Sequence, residues 1–314
     1  MMPSQMNSCP GWLLYLMVGL LALTTRASGQ TFSFRLVDFP AMPETGLDRN
    51  NNAGDVVGFY SPIVSGTSGN GFLLASGTYH VVAYPGAIST EADGINNAQV
   101  VTGVYWDTSN LRHGFALVGS KYRKIDYPGS VESNAAQIND NNEIVGSYSD
   151  GTHWHGYVLQ GGKFTTLDYP GAANSNLASI NNSAQIVGYY YQDDRVAHGF
   201  LYSSGTFTAI DYPGAASTGS FAINQSGEIV GEWQDASGNY HGFTFVSGVY
   251  SSFDYPGAFS TYPYGVNDNG EIVGLALTDF EDTGHGFLAS PVGPAGPRGS
   301  RGSPGTRSRG LLHF

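Results

Sequence analysis

The chain has 314 residues, of which 12% are charged and 44 are glycine. All 25 acidic residues but only eight of the 13 basic ones lie between Gln30 and Ser290, so nucleic acid is not an expected partner. Abundant Gly, Tyr, Asn and Ser, without an amphipathic helical period, favour short strands joined by tight turns.

Residues 1–29 have the pattern of a signal peptide. An apolar stretch from Trp12 to Leu23 is too short to span a bilayer, and the small residues Ala27 and Gly29 precede Gln30 at the positions where cleavage is recognised. Cys9, the single cysteine, would leave with this segment. We therefore expect a secreted or cell-surface protein without disulfides, and without a membrane span once the signal is removed.

Residues 30–290 consist of six copies of one repeat. His-Gly-Phe or His-Gly-Tyr recurs every 42 to 44 residues, Asp-Tyr-Pro-Gly follows it, and a segment such as Ile180 to Gly188 carries Ile-Asn and Ile-Val-Gly. The first motif begins at His113, His155, His198, His241 and His285, with a weaker copy at Asn70. The second begins at Asp126, Asp168, Asp211 and Asp254, with degraded copies at Asp38 and Ala83.

Each copy divides into two hairpins. One turns at a two-residue centre such as Ser204-Gly205, where positive φ is needed, and the other at an Asn-rich turn such as Asn224 to Gly227. A parallel β-helix has no tight antiparallel hairpin in every repeat, whereas a propeller blade does. The repeat length of about 43 residues also fits, so we predict an all-β, six-bladed β-propeller of four-stranded antiparallel blades.

The His and Asp markers of one hairpin are always 13 residues apart, which makes them cross-strand neighbours. These structural pairs are His113 with Asp126, His155 with Asp168, His198 with Asp211, and His241 with Asp254. His285 and Asp38 are left without partners, so we predict that they pair and close the ring. Strand orientation explains the histidines better than a metal ring, because each lies in a different blade.

The quoted motifs, His-Gly-Phe-Leu-Tyr, Ile-Asp-Tyr-Pro-Gly-Ala and Gly-Glu-Ile-Val-Gly, resemble those of the bacterial extracellular HAF repeats, named after a His-Ala-Phe motif. The resemblance covers residues 31–290 and departs at the Gly in place of Ala and at the Asp-Tyr-Pro-Gly turn. It implies a bacterial exported repeat protein, and it assigns no catalytic or binding residue.

The segment from Asp48 to Asp55 places oxygen-bearing side chains at the first, third and fifth positions of an EF-hand calcium loop. Position six is Ala53 instead of Gly, and position twelve is Phe59 instead of Glu. We interpret the segment as a solvated turn and expect neither a metal nor a cofactor.

The segments between the Ile-Val-Gly strand and the next His-Gly-Phe vary most and should emerge on one face, where binding residues usually lie. Their aromatic and acidic side chains suit a glycan or a protein ligand: Trp106, Asp107, Asp150, Trp154, Tyr191, Asp193, Trp233 and Asp235. The alternative is that these aromatics cover the blade edges.

Six near-equivalent blades without an odd catalytic cluster favour a monomeric binding or scaffold protein that is not an enzyme. The alternative is a carbohydrate-active enzyme, a hydrolase or lyase that uses loop carboxylates such as Asp150 and Asp193.

Residues 291–314 have glycine at every third position from Gly293 through Gly305, with prolines and arginines. Five triplets are few for a collagen helix, so a flexible basic tail is expected.

Overall fold

The computed structural model describes residues 30–62, 69–192, 196–278 and 284–292. Within them the chain is all-β, without helices, and its strands form six sheets, one for each blade of a six-bladed β-propeller. The fold class predicted from the repeat is therefore confirmed. The predicted signal peptide, nearly all of the predicted tail and Asp193 lie outside the described residues.

The strands follow one another around the ring in chain order, beginning with β1 (Thr31–Leu36). Blade 1 contains β2 (Glu44–Asn50), β3 (Val56–Ser61), β4 (Asn70–Ala75) and β5 (Thr78–Val82). Blade 2 contains β6 (Ser89–Ile95), β7 (Val101–Trp106), β8 (Arg112–Val118) and β9 (Lys121–Ile125). Blade 3 contains β10 (Glu132–Ser133), β11 (Gln137–Ile138), β12 (Ile144–Ser149), β13 (Trp154–Gln160) and β14 (Lys163–Thr166). Blade 4 contains β15 (Asn174–Ile180), β16 (Ile186–Tyr191), β17 (Ala197–Ser203) and β18 (Thr206–Ile210). Blade 5 contains β19 (Ser217–Ile223), β20 (Ile229–Gln234), β21 (Tyr240–Val246) and β22 (Val249–Phe253). Blade 6 contains β23 (Ser260–Val266), β24 (Ile272–Leu277) and β25 (Gly284–Val292).

The sixth blade is completed by the first strand. β1 pairs antiparallel with β25, from Thr31 opposite Val292 to Leu36 opposite Phe287. Nδ1 of His285 lies 3.0 Å from Oδ2 of Asp38, which confirms the predicted pair and the closure of the ring. The pairing continues two residues beyond the predicted domain boundary at Ser290, because the backbone of β25 still has β1 beside it there.

The core lies between the blades. The aromatic residue of each His-Gly-Phe or His-Gly-Tyr motif, and of the weaker Asn-Gly-Phe copy, is fully buried, and apolar residues of the neighbouring blade pack against it. The six are Phe72, Phe115, Tyr157, Phe200, Phe243 and Phe287. Close packing leaves no room for a side chain at the Gly of Ile-Val-Gly, since a Cβ at Gly188 would lie 2.0 Å from the carbonyl oxygen of Asn176 on the paired strand.

One asparagine from each blade joins a hydrogen-bonded ring at one end of the propeller. The Oδ1 of Asn224 accepts hydrogen bonds from the backbone N–H of Ser226 and Glu228, which is the turn role predicted for it. Its Nδ2 donates to the carbonyl of Asn267 in the next blade at 3.1 Å, an inter-blade role that the sequence did not indicate. We call the six the ring asparagines: Asn51, Asn96, Asn139, Asn181, Asn224 and Asn267.

Candidate functional site

The innermost strand of every blade is irregular at the third residue before its ring asparagine. The register skips one residue there in five blades, and in blade 3 the gap between β10 and β11 falls at the same place. The residues at this position are Asp48, Asp93, Ala136, Ala178, Phe221 and Tyr264. A β-bulge turns a residue and its carbonyl out of the ladder, and here they face the propeller axis.

These six residues line a cavity of about 350 Å³ that we call the axial cavity. Glu91, Tyr189, Trp106 and Arg112 also line it. Trp106 ends β7 and Arg112 begins β8, so the cavity extends toward the face that carries the variable loops. A cavity of this size, with converging polar and aromatic side chains, has the character of a small-molecule site.

Arg49 fixes the floor of the axial cavity. Its Nη2 donates to the carbonyls of Ala178 at 2.8 Å and Phe221 at 2.9 Å, and its Nη1 donates to those of Asp48 and Tyr264. One buried guanidinium thus hydrogen-bonds bulged residues of blades 1, 4, 5 and 6. Planar guanidinium groups suit such multiple hydrogen bonding better than ammonium groups do.

Three carboxylates share this cavity with Arg49. Burial raises the pKa of Asp48, and the neighbouring charge of Glu91 raises it further, against the lowering effect of Arg49. Burial together with repulsion by Asp48 and Glu91 likewise raises the pKa of Asp93. Burial raises the pKa of Glu91, while Arg112 lowers it. Asp48 therefore lies in β2 on the cavity wall with its Oδ2 buried, and the prediction of a solvated turn was wrong for this residue and for the buried Asn50, Asn51 and Asp55.

Glu232 is a further buried acid beside the axial cavity. It lies on β20 opposite Gly219, where the innermost strand provides no side chain, and its charge adds to the burial that raises the pKa values of Tyr189 and Tyr264. Burial raises the pKa of Glu232 itself to about 8. Its anionic form is consequently disfavoured in the folded protein.

Replacing Glu232 with Gln is expected to stabilise the protein at pH 9 and to change little at pH 5. Because the folded-state pKa of about 8 lies above the ordinary value of 4.5, the folded protein loses stability as the pH rises between these values. The neutral amide removes that cost, and we expect a gain of about 1–3 kcal/mol in the free energy of unfolding at pH 9. Denaturant unfolding at the two pH values measures it.

Asp107→Asn is the control with the opposite sign. The backbone N–H of Leu111 holds the pKa of Asp107 below its usual range, so its charged form stabilises the fold above the unfolded-state pKa and this contribution is lost at acid pH. Asp107→Asn should therefore destabilise at pH 9. A Glu232→Gln effect that does not depend on pH would contradict the assignment of Glu232 as a buried acid.

The predicted His and Asp pairs all form, toward the outer part of the loop face. The Nδ1 to carboxylate distance is 2.8 Å for His113 with Asp126 and for His155 with Asp168, and 3.0 to 3.3 Å in the remaining pairs. Those remaining pairs are His198 with Asp211, His241 with Asp254, and His285 with Asp38. In four blades the imidazole also packs on an aromatic ring of the preceding strand, as His241 does on Trp233.

Three of the predicted ligand-binding carboxylates hold their own loops. Asp107, Asp150 and Asp235 each accept backbone N–H bonds with Oδ1 and place Oδ2 within 3.5 Å of Nε2 of the histidine in their blade. The backbone N–H groups of His153 and Thr152 lower the pKa of Asp150 to about 2. Such a carboxylate is a poor proton donor near neutral pH, which weakens the case for Asp150 as a general acid.

The predicted aromatic candidates divide between two places. Trp106 lines the axial cavity, Tyr191 packs edge-on against Tyr189, and Trp154 lies 4.4 Å under the guanidinium of Arg112. Trp233 instead stacks between Tyr212 and His241, each at 4.5 Å, which agrees with the alternative that it covers a blade edge.

The sequence did not reveal the charged residues of the site, which are Asp48, Arg49, Glu91 and Asp93 on the cavity wall and Glu232 beside it. Their signal was present, because charged residues occur in the innermost strands of blades 1 and 2 where the other copies have Ala, Phe or Tyr. A comparison of equivalent positions in the six copies would have identified Asp48 and Asp93, because they differ from the residues of the other copies.

No group of three or more His, Cys, Asp or Glu side chains within the described residues is placed to hold a metal ion. Among the same residues, none belongs to a helix with the length and apolar character that crossing a bilayer requires.

Comparison with known proteins gives structural similarity at low sequence identity. No family model and no curated protein matches the chain, so the resemblance to HAF repeats stays a prediction. A lectin from Aleuria aurantia, in complex with Fucalpha1-6GlcNAc, is 11% identical with a TM-score of 0.48, over 74% of this chain and 87% of that one. The SapL1 lectin, in complex with alpha methyl fucoside, is 12% identical with a TM-score of 0.51, over 80% and 97%. TolB from Acinetobacter baumannii is 12% identical with a TM-score of 0.56, over 78% of this chain and 63%, less than two thirds, of its own length. At these identities the similarity to SapL1 and TolB shows a β-propeller fold.

Proposed function

We propose that the protein is a non-catalytic, exported binding propeller that takes a saccharide unit in the axial cavity. The observation that carries the proposal is the composition of the cavity wall, where Trp106, Tyr189 and Tyr264 stand beside Glu91 and Asp93. Aromatic faces stack on the C–H faces of sugar rings, and carboxylates accept hydrogen bonds from their hydroxyls. The volume of about 350 Å³ falls in the range of small-ligand pockets.

The distribution of variation among the blades supports the same location. The His and Asp pairs and the ring asparagines recur around the propeller, as parts of a scaffold do. The bulged positions facing the axis differ from blade to blade and carry Asp, Ala, Phe or Tyr. A regular frame with a varied centre supports one binding site for the whole ring, in place of six equivalent ones. The SapL1 lectin shows that a propeller of this general fold can hold a saccharide.

Binding of the chain from Gln30 onward to a panel of oligosaccharides, followed by isothermal titration calorimetry, tests the proposal. Trp106→Ser introduces the residue that blades 1 and 3 carry at the same register position, Ser61 and Ser149, and should weaken binding by about tenfold or more. Trp233→Tyr is the matched control, because Tyr105 and Tyr148 occupy its register position in blades 2 and 3. It should bind as the unchanged protein does.

Two results would overturn the proposal. One is the absence of binding to any member of the panel, and the other is equal loss of binding in both tryptophan variants at unchanged melting temperature. Release of reducing ends from a bound polysaccharide would replace the non-catalytic assignment with the carbohydrate-active alternative.

A further inference from the structure

The wall of the axial cavity carries three carboxyl groups and two guanidinium groups. Asp48, Glu91 and Asp93 line it together with Arg49 and Arg112. The donors of Arg49 on Nη1 and Nη2 are directed at backbone carbonyls instead of carboxylates. Arg112 donates to Glu132 at 3.3 Å and lies over Trp154. Neither guanidinium therefore makes a hydrogen-bonded ion pair with a carboxylate of the cavity.

One carboxylate oxygen on the cavity wall lacks a donor. Oδ2 of Asp48 is buried and, like Nε of Arg49, has no hydrogen-bond partner among the described residues. A buried polar atom without a partner normally costs free energy, and such an atom at a functional site indicates a group that a ligand completes. Burial, together with repulsion by Asp48 and Glu91, raises the pKa of Asp93 although Arg49 lowers it, so Arg49 does not fully balance the acids of the cavity.

The cavity favours an organic cation over a bare metal ion. Metal ions need oxygen ligands that converge on one point, and no three acidic, His or Cys side chains of the described chain do so. The carboxylates are spread along a wall that also presents Trp106, Tyr189 and Tyr264. Aromatic faces attract ammonium groups through their quadrupoles, and the attraction grows when water is excluded.

We propose that the axial cavity selects a saccharide with a free ammonium group, an amino sugar, over its N-acylated and neutral counterparts. The inference rests on the proposed function, because it specifies which saccharide the same cavity takes. The ammonium donates hydrogen bonds to Asp48 and Asp93 and lies against the aromatic wall, while the hydroxyls and the ring are bound as a neutral sugar would be.

Three tetrasaccharides with the same β-1,4 linkage test this selection, made of glucosamine, N-acetylglucosamine or glucose. Their sugar units differ at one substituent, which is an ammonium, an acetamide or a hydroxyl. Titration calorimetry at pH 7 should show that the glucosamine oligomer binds at least about tenfold more tightly than the other two. A single hydrogen-bonded ion pair in a desolvated site suffices for that difference.

Asp93→Asn should remove most of the preference for the ammonium oligomer, because it weakens binding of that oligomer much more than binding of the two neutral ones. Asp268→Asn is the matched control, since it removes one negative charge at the end of the propeller that carries the ring asparagines. It should leave the preference intact, because the cavity does not include it.

Three other outcomes distinguish failure of the selection for an ammonium group from failure of the saccharide proposal. Equal binding of all three oligomers would overturn the selection for an ammonium group while the saccharide proposal stands. A preference that both Asp variants reduce equally would also overturn it, since it would then reflect the overall negative charge of the protein. Failure of all three oligomers, together with failure of the wider panel, would remove the saccharide proposal itself.

Discussion

Deleting residues from Gly284 onward is expected to unfold the propeller at temperatures where the full chain remains folded. β25 has a partner on both sides, β24 and β1, so its loss removes two strand pairings and leaves β1 and β24 with open edges. It also removes Phe287 and Ala289, both fully buried in the cluster between blades 5 and 6. Phe287 alone contributes about 3–5 kcal/mol by burial, a large part of the stability of a typical domain.

Circular dichroism melts of three truncations measure this effect. Ending the chain after Val292 should leave the melting temperature unchanged, because β1 keeps all of its pairings. Ending it after Ser290 should lower the melting temperature slightly, since the pairs of Phe32 with Pro291 and of Thr31 with Val292 are lost. If the chain without residues from Gly284 onward melts like the full chain, ring closure does not stabilise the fold.

The fold could be predicted because its signals are local and repeated. Two-residue turns, the pairing of His155 with Asp168 and the burial of Phe200 each depend on residues within one copy, and six copies show the same spacing. Ring closure was also predictable, because the unpaired His285 and Asp38 complete a pattern that the interior copies establish. The regular spacing of the copies therefore predicted the long-range contact between His285 and Asp38.

The axial cavity could not be predicted from the sequence in the same way. It is built from residues that repeat poorly and lie far apart in the chain, as Arg49 and the carbonyl of Phe221 do. The strand bulges that turn these carbonyls inward leave no residue signature, since Asp48, Ala178 and Tyr264 all occupy the same position. The sequence placed the predicted binding site in the variable loops. In the structure, several carboxylates of these loops instead accept hydrogen bonds from the loop backbone.

Arg49→Met is expected to destabilise the protein by about 3–5 kcal/mol, the usual cost of leaving buried charged and polar partners without their counterpart. The substitution removes the donor to four carbonyls in four blades and takes positive charge away from Asp48 and Asp93. Met has a similar length and flexibility, so lost packing contributes little. Denaturant unfolding of the ligand-free protein measures the change, and Arg49→Lys, which keeps the charge without the planar fork, should cost less.

The pH dependence of the destabilisation by Arg49→Met separates its two causes, which are the unbalanced charge and the lost hydrogen bonds to the carbonyls. Burial raises the folded-state pKa of Asp48 to about 8, so this carboxyl is mostly neutral at pH 5 and becomes mostly anionic only near pH 9. The part of the Arg49→Met loss that comes from unbalanced charge should therefore be larger at pH 9 than at pH 5. The part that comes from the carbonyls should remain at both pH values. Adding Asp48→Asn to Arg49→Met should recover stability at pH 9 and little at pH 5, a coupling that a double-mutant cycle quantifies. A loss below about 1 kcal/mol at both pH values would mean that the guanidinium does not join the blades at the axis.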